Sequence, residues 1–316
     1  MAQPTNTFST NDAVGIREDL SDIITNIAPT ETPFYSSASH TTASARLHEW
    51  QTDTLAAAGN NAAIEGDAAP ATAGSATTLL TNRTQISTLD ARVSGSMRKV
   101  DAAGRADELD YQLLKRGNEL KRDMETGLLS NKIKVTGNDT LASEYAGIEA
   151  WIKTNTSKAS DGTDPTAATG VDARNDGTQR AITEDMLKEV VRECFDAGGN
   201  PSVLMAGAFN RQKISAFGGN STSFQKSEDK TLHATFSVYE SDFGELKIIP
   251  NRFQRSRSVY ALEMDKWKIP FLTGRNMVTF DLAKTGDSDA KQILSEYTLE
   301  SCNEAASGGI FDLTTS

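Results

Sequence analysis

Cysteine is nearly absent: Cys194 and Cys302 are the only two in 316 residues. They are too few for the disulfide framework of a small secreted domain, and two buried free thiols are the expectation. Histidine is equally scarce, and His40, His48 and His233 show no spacing that suggests a metal site. No segment approaches the roughly 18 consecutive apolar residues of a membrane span. The polar start Met1–Thr10 lacks the basic and apolar regions of a signal peptide, which predicts a chain that stays in the cytoplasm where it is made. Positive charge is in deficit, with 32 Lys and Arg against 43 Asp and Glu and a net charge of −11. That balance disfavours a role in gripping nucleic acid by its phosphates. Catalytic motifs are missing as well: no phosphate-cradling loop, no GxGxxG after a strand, no HExxH and no GxSxG elbow. The stretch Asp172–Gly177 fails as a calcium loop because Arg174 stands where a carboxylate is required, and it reads as part of a solvated acidic loop. No cofactor, metal or catalytic residue is expected.

Apolar residues are themselves in short supply, at 37% of the chain. Ala, Thr, Ser, Asn and Gly are abundant instead, so much of the chain is not expected to bury itself in its own core. Either long surface loops or segments covered by another chain would account for this.

What is present falls into a readable order. Ala13, Ile16, Leu20, Ile23 and Ile27 form one helical stripe, ended by Pro29 and Pro33. Ser44–Thr54 and Thr84–Met97 read as strands flanking a stretch of mostly Ala, Gly, Thr and Asn, 55–82, in which Leu55, Ile64, Leu79 and Leu80 are the bulky apolar side chains. A structureless insert of that length is uncommon inside a compact domain, so a projecting hairpin is predicted. Asp101–Lys132 keeps helical spacing through Leu109, Leu113, Leu120, Met124 and Leu128, which predicts a long beam-like helix. Thr183–Ala197 predicts a second helix, capped by Thr183, with Leu187, Val190, Val191, Cys194 and Phe195 on its buried face. Between them, 154–179 is polar and low in complexity and reads as a mobile surface loop. Short strands follow at 202–206, 235–241, 245–249 and 258–263, and a second antiparallel pair at 277–282 and 292–301. The one basic concentration, Arg252, Arg255 and Arg257, reads either as a solvated loop or as a docking site for a partner's carboxylates.

The segment NDAVGIREDLSDIITNIAPTETPFYS, 11–36, with LHEWQTDTL at 47–55, resembles the N-terminal signature of a family of tailed-phage major capsid proteins, a branch common in short-tailed phages. The resemblance rests on Gly15-Ile16-Arg17-Glu18, Ile27-Ala28-Pro29, Glu31-Thr32-Pro33-Phe34 and His48-Glu49-Trp50-Gln51; beyond Lys134 it is one of layout. It implies an α+β, HK97-like capsid fold. Its parts would be an N-terminal arm at 1–45, an extended β-hairpin E-loop at 46–97, a long spine helix and P domain with a flexible loop at 98–180, an A domain at 181–273 and a C-terminal return to the P domain at 274–316. It further implies self-assembly as hexamers and pentamers into an icosahedral virion shell built in the host cytoplasm. The implied partners are a separate scaffolding protein, since the signature starts almost at Met1, a portal protein, a minor or cement protein, and packaged double-stranded DNA held without sequence specificity. Some relatives lock their shells with Lys–Asn bonds; the hairpin tip has Asn60 and Asn61 but no lysine, so no such crosslink is expected. Subunit contacts are expected at Ile16, Leu20, Ile23, Trp50, Leu55, Ile64, Leu79, Arg252, Arg255 and Arg257. The alternatives are an encapsulin-like nanocompartment shell and a glycan-binding or hydrolytic globular protein.

Overall fold

The computed structural model describes residues 31–62, 64–66, 74–100, 107–217 and 238–316. The amphipathic stripe at 13–27, with Ile16, Leu20 and Ile23, therefore lies outside the described residues. Helix α1, Pro33–Ser37, opens with the proline that fits a first helical turn and leads into strand β1, Ser39–Ala43. A hairpin follows, β2 (Leu47–Thr52) and β3 (Thr78–Arg83), and then β4 (Gln85–Ser94). The long helix α2, Glu108–Leu128, is capped by Asp107, whose side chain accepts the Leu109 N–H. Its 21 residues span about 32 Å. Strand β5 (Asn155–Ser157), helix α3 (Glu184–Asp196), β6 (Val203–Ala206) and helix α4 (Ala208–Ser215) come next. The chain then runs through β7 (Val238–Ser241), β8 (Gly244–Pro250), β9 (Val259–Leu262) and β10 (Trp267–Leu272). It finishes with β11 (Val278–Asp281), β12 (Ser288–Tyr297), β13 (Glu300–Ser301) and β14 (Gly308–Ile310).

These strands make two six-stranded sheets and the separate β2–β3 ribbon. In the first sheet β1 runs parallel to β10, and β12 is flanked by β11 on one side and by all ten residues of β4 on the other. The second sheet has the order β5-β14-β9-β6-β8-β7. Its central strands β6 and β9 are buried on both faces, as their unbroken apolar runs require. One face, with Met205, Tyr260 and Leu262, joins the main core around Leu120, Met124 and Leu128 of α2, Phe34 of α1, Trp151 and Trp267. The other face packs on Leu187, Val190, Val191 and Cys194 of α3.

Several expectations are corrected. The long helix is shorter than 101–132: 101–106 lie outside the described residues, and past Leu128 the chain turns away so that Ser130 Oγ donates to Gly127 O. The hairpin partner of β2 is Thr78–Arg83, which begins inside the 55–82 stretch, and not the expected strand Thr84–Met97, whose Gln85–Ser94 part lies along β12 instead. Residues 33–43, placed in an extended arm, are built into the body as α1 and β1. Phe195 is 53% exposed and not on the buried face of α3. The sheets also cross the boundary expected at 273/274, since β10 joins the first sheet and β14 sits inside the second.

The stretch 154–179 is no free loop. Asn155–Ser157 pairs with β14, and Arg174 is buried over the Phe311 ring, 3.4 Å from its centroid. Arg174 is ion-paired to Asp164, which also binds Lys158 and Thr156. Gly170 holds φ +68° where a Cβ would collide with Ala146, so only glycine suits the turn. Hydrogen bonds order the exposed part of the stretch as well: Asp172 accepts from Thr166, and Asp161 from Thr178.

Candidate functional site

With no catalytic cluster expected, the surfaces that could bind another chain are the site. The β2–β3 ribbon is in register from Leu47 opposite Arg83 to Thr52 opposite Thr78. Its root is fixed by buried polar groups. Asn82, fully buried, donates from Nδ2 to Leu299 O at 2.7 Å and accepts the Ala146 N–H at 2.9 Å. Trp50 lays its ring on Trp151, with centroids 5.3 Å apart, and donates its Nε1–H to Ser301 O at 2.9 Å. His48 Nε2 meets Glu300 Oε2 at 2.9 Å, and Lys268 Nζ meets Oε1 at 3.1 Å. Burial works against ionisation of Glu300, but the hydrogen bonds from His48, Lys268 and Cys302 outweigh it and hold its pKa at about 2.

Beyond this root the apolar side chains stand largely or partly open to solvent among the described residues. Leu55 is 99% exposed, Ile64 79% and Leu79 55%. A fully solvated leucine forgoes about 1.5–3 kcal/mol of burial free energy, which a second chain could recover. A cleft of about 930 Å³ opens between the root of the ribbon and 301–305, lined among others by Leu55, Leu80, Trp151 and Cys302.

The arginine loop divides. Arg255 is ion-paired to Glu149, which has no exposed surface, and to Asp176 at 2.5 Å. Burial lowers the pKa of Arg255, and the Glu149 charge more than reverses that, so the guanidinium stays ionised. Glu149 also accepts from Ser258 Oγ at 2.6 Å and from the Tyr260 hydroxyl at 2.7 Å. Arg257 reaches Asp176 at 3.3 Å and the buried Asp312 at 3.1 Å. The carboxylates that Arg255 and Arg257 bind are thus on their own chain, and only Arg252 stands exposed. Trp50 is likewise engaged within the chain.

The groups that hold the frame were not singled out in the sequence. Glu125, buried on α2, accepts the Phe34 and Tyr35 N–H groups and Asn251 Nδ2. Its signal was an acid inside an apolar stripe, beside Met124. Burial raises its pKa, against the pull of those hydrogen bonds. Burial also pushes the Cys194 thiol up to about 12, a poor nucleophile. His40 contacts Tyr35 O at 2.9 Å. Among the described residues no group of three or more His, Cys, Asp or Glu could hold a metal ion, and no helix is long and apolar enough to cross a membrane.

Comparison with known proteins agrees with an assembly surface. A major capsid protein of Escherichia phage Phieco32 is 29% identical over 350 aligned positions, covering 98% of each chain. The capsid of cyanophage A-1(L) superposes with a TM-score of 0.61 over 97% of this chain and 98% of that one, at 14% identity. A chain from a phage G structure described as major capsid and decoration proteins gives 0.55 over 99% and 100%, at 11% identity. These neighbours share the HK97-like architecture expected from the sequence. The family model for the SU10 major capsid protein matches residues 3–314, and the chain belongs to that family of phage major capsid proteins.

Proposed function

We propose that copies of this chain close into hexamers and pentamers that tile the icosahedral shell around the double-stranded DNA of a tailed phage. The observation that carries this reading is the β2–β3 ribbon: a root locked by Asn82, Trp50 and Glu300, and a far end that offers Leu55, Ile64 and Leu79 to solvent. Such an arm gains its burial on a neighbour and adapts to the differing curvature of rings of six and five. Of the contacts read from sequence, Leu55, Ile64, Leu79 and Arg252 remain available. Ile16, Leu20 and Ile23 are proposed to act with them as part of an N-terminal arm.

The division into arm, E-loop, spine helix, P domain and A domain is part of this reading, as is assembly in the host cytoplasm. The role is structural and involves no catalysis and no covalent crosslink. A separate scaffolding protein, a portal and a decoration or cement protein complete the particle; the phage G neighbour is described with decoration proteins. The net charge of −11 would keep packaged DNA from adhering to the shell wall.

Negative-stain electron microscopy and light scattering of the chain alone and with its scaffolding protein test the proposal. Closed particles or rings of five and six are expected. A monodisperse monomer in both preparations would overturn it.

A further inference from the structure

Strands β6 and β8 are parallel, Val203 opposite Lys247 and Ala206 opposite Pro250, so the second sheet has two distinct ends. At the N-terminal end of these strands the β7–β8 turn meets the last turn of α3. There Phe195 and Phe243 stack with ring centroids 4.8 Å apart, yet they are 53% and 38% exposed. Exposed acids adjoin both rings in the chain, Asp196 after Phe195, Asp242 before Phe243 and Glu245 as the second residue of the outgoing strand, against the exposed cation Arg192 a turn earlier on α3. At the C-terminal end, α4 and the loop after β8 are tied together, Asn210 Nδ2 donating to Ser256 O at 2.8 Å. This end carries no acid on α4 and presents Lys213 over the half-buried Phe209 ring, at 5.1 Å, and exposed Arg252 follows β8 at the same end of the sheet. An aromatic pair with acid neighbours and an aromatic ring with basic neighbours thus belong to opposite ends of the seven-residue β8, a strand about 20 Å long.

We infer that the two ends are the halves of one head-to-tail contact: the Phe195–Phe243 patch of one copy docks on the Lys213–Arg252 face of a second copy of this chain. Opposite ends exclude a two-fold contact in which a patch meets itself, and a heterologous contact of this kind repeats until it closes a ring. Charge complementarity selects the partner, since a like-charged approach of two acidic ends is repelled. Removing the exposed rings from water supplies the attraction. The inference deepens the shell reading and rests on it for its biological setting.

Charge reversal tests it. Asp242→Lys and Arg252→Asp are expected each to lower the assembled fraction at least about tenfold, and the double variant to restore most of it. Circular dichroism melts unchanged from the native chain establish that the variants fold. Single variants that assemble normally, or a double variant no better than either single, would overturn the inference. A second measurement does not depend on shell closure: Asp242→Cys with Arg252→Cys, mildly oxidised, with each single variant as control for Cys194 and Cys302. A ladder of linked chains peculiar to the pair supports the contact even if no shell forms, in which case the shell reading alone fails. No ladder overturns the contact even if shells form.

Discussion

Glu125 caps the helix that begins at Pro33, from 91 residues away. Thr32, the residue placed to cap it, makes no side-chain capping bond, and the Glu125 carboxylate takes the Phe34 N–H at 2.8 Å and the Tyr35 N–H at 2.7 Å instead. Two otherwise orphaned donors are satisfied by one buried acid, and the position of α1 is thereby tied to α2.

Glu125→Ala should therefore destabilise the folded subunit by about 2–4 kcal/mol, because two backbone donors and the Asn251 amide lose their acceptor in a buried site. Glu125→Gln, which keeps an acceptor oxygen, should cost about half as much. Denaturant melts of the unassembled subunit check both values.

Acid should loosen the ribbon root within a defined window. Glu300 titrates at about 2 in the fold against 4.5 as an unperturbed carboxyl. A depressed carboxyl pKa contributes stability that is full above about 4.5 and is lost as the pH falls towards 2. The contribution is about 3 kcal/mol. Hydrogen-exchange protection at Leu47–Thr52, taken relative to the intrinsic rate at each pH, should fall as the pH drops across that window, and in Glu300→Gln the protection should no longer vary there.

Arg255→Ala should act on folding before assembly. It strands Glu149, which has no exposed surface, and should cost the isolated subunit about 2–3 kcal/mol, below the usual range for a fully buried pair because the Arg255 side chain is a quarter exposed. Arg252→Ala should leave the melting curve within about 0.5 kcal/mol of the native chain.

Leu55→Asp and Leu79→Asp should separate the same two properties in the other direction. Stability of the monomer should change by no more than about 0.5 kcal/mol for Leu55, which is 99% exposed, and by about 1 kcal/mol for Leu79, which is 55% exposed. Light scattering under assembly conditions should show the loss of large particles.

The parts of the fold that were legible in the sequence are those set by local pattern. The α2 stripe, the Thr183 cap, the strands after residue 200 and the pair around Gly286 all follow from spacing within one segment. Strand β10 was hidden because Pro270 interrupts its run, and β1 because SHTTA has no apolar alternation; each exists through its pairing with the other. The order in 154–179 depends on Arg174 and Asp312 finding partners far along the chain, which composition does not encode. Of the residues proposed as contacts, Leu55 and Leu79 were legible by their isolation in an Ala-rich stretch, and both are exposed. The inward turn of Arg255 and Arg257 was not, because an ion pair across 106 residues leaves no mark on either segment.

The parallel ladder of β1 on β10 also bears on the timing of events. Thr273 Oγ1 donates to Ala43 O across 230 residues of sequence, and every rung of the ladder closes a loop of similar size. Contacts so distant form late in folding, after the local helices and hairpins. The ribbon root depends on the same region, through Lys268 and Glu300. By this ordering the root of the β2–β3 ribbon is completed only once the body has closed, so the posture of the ribbon reports on the folding of the whole subunit.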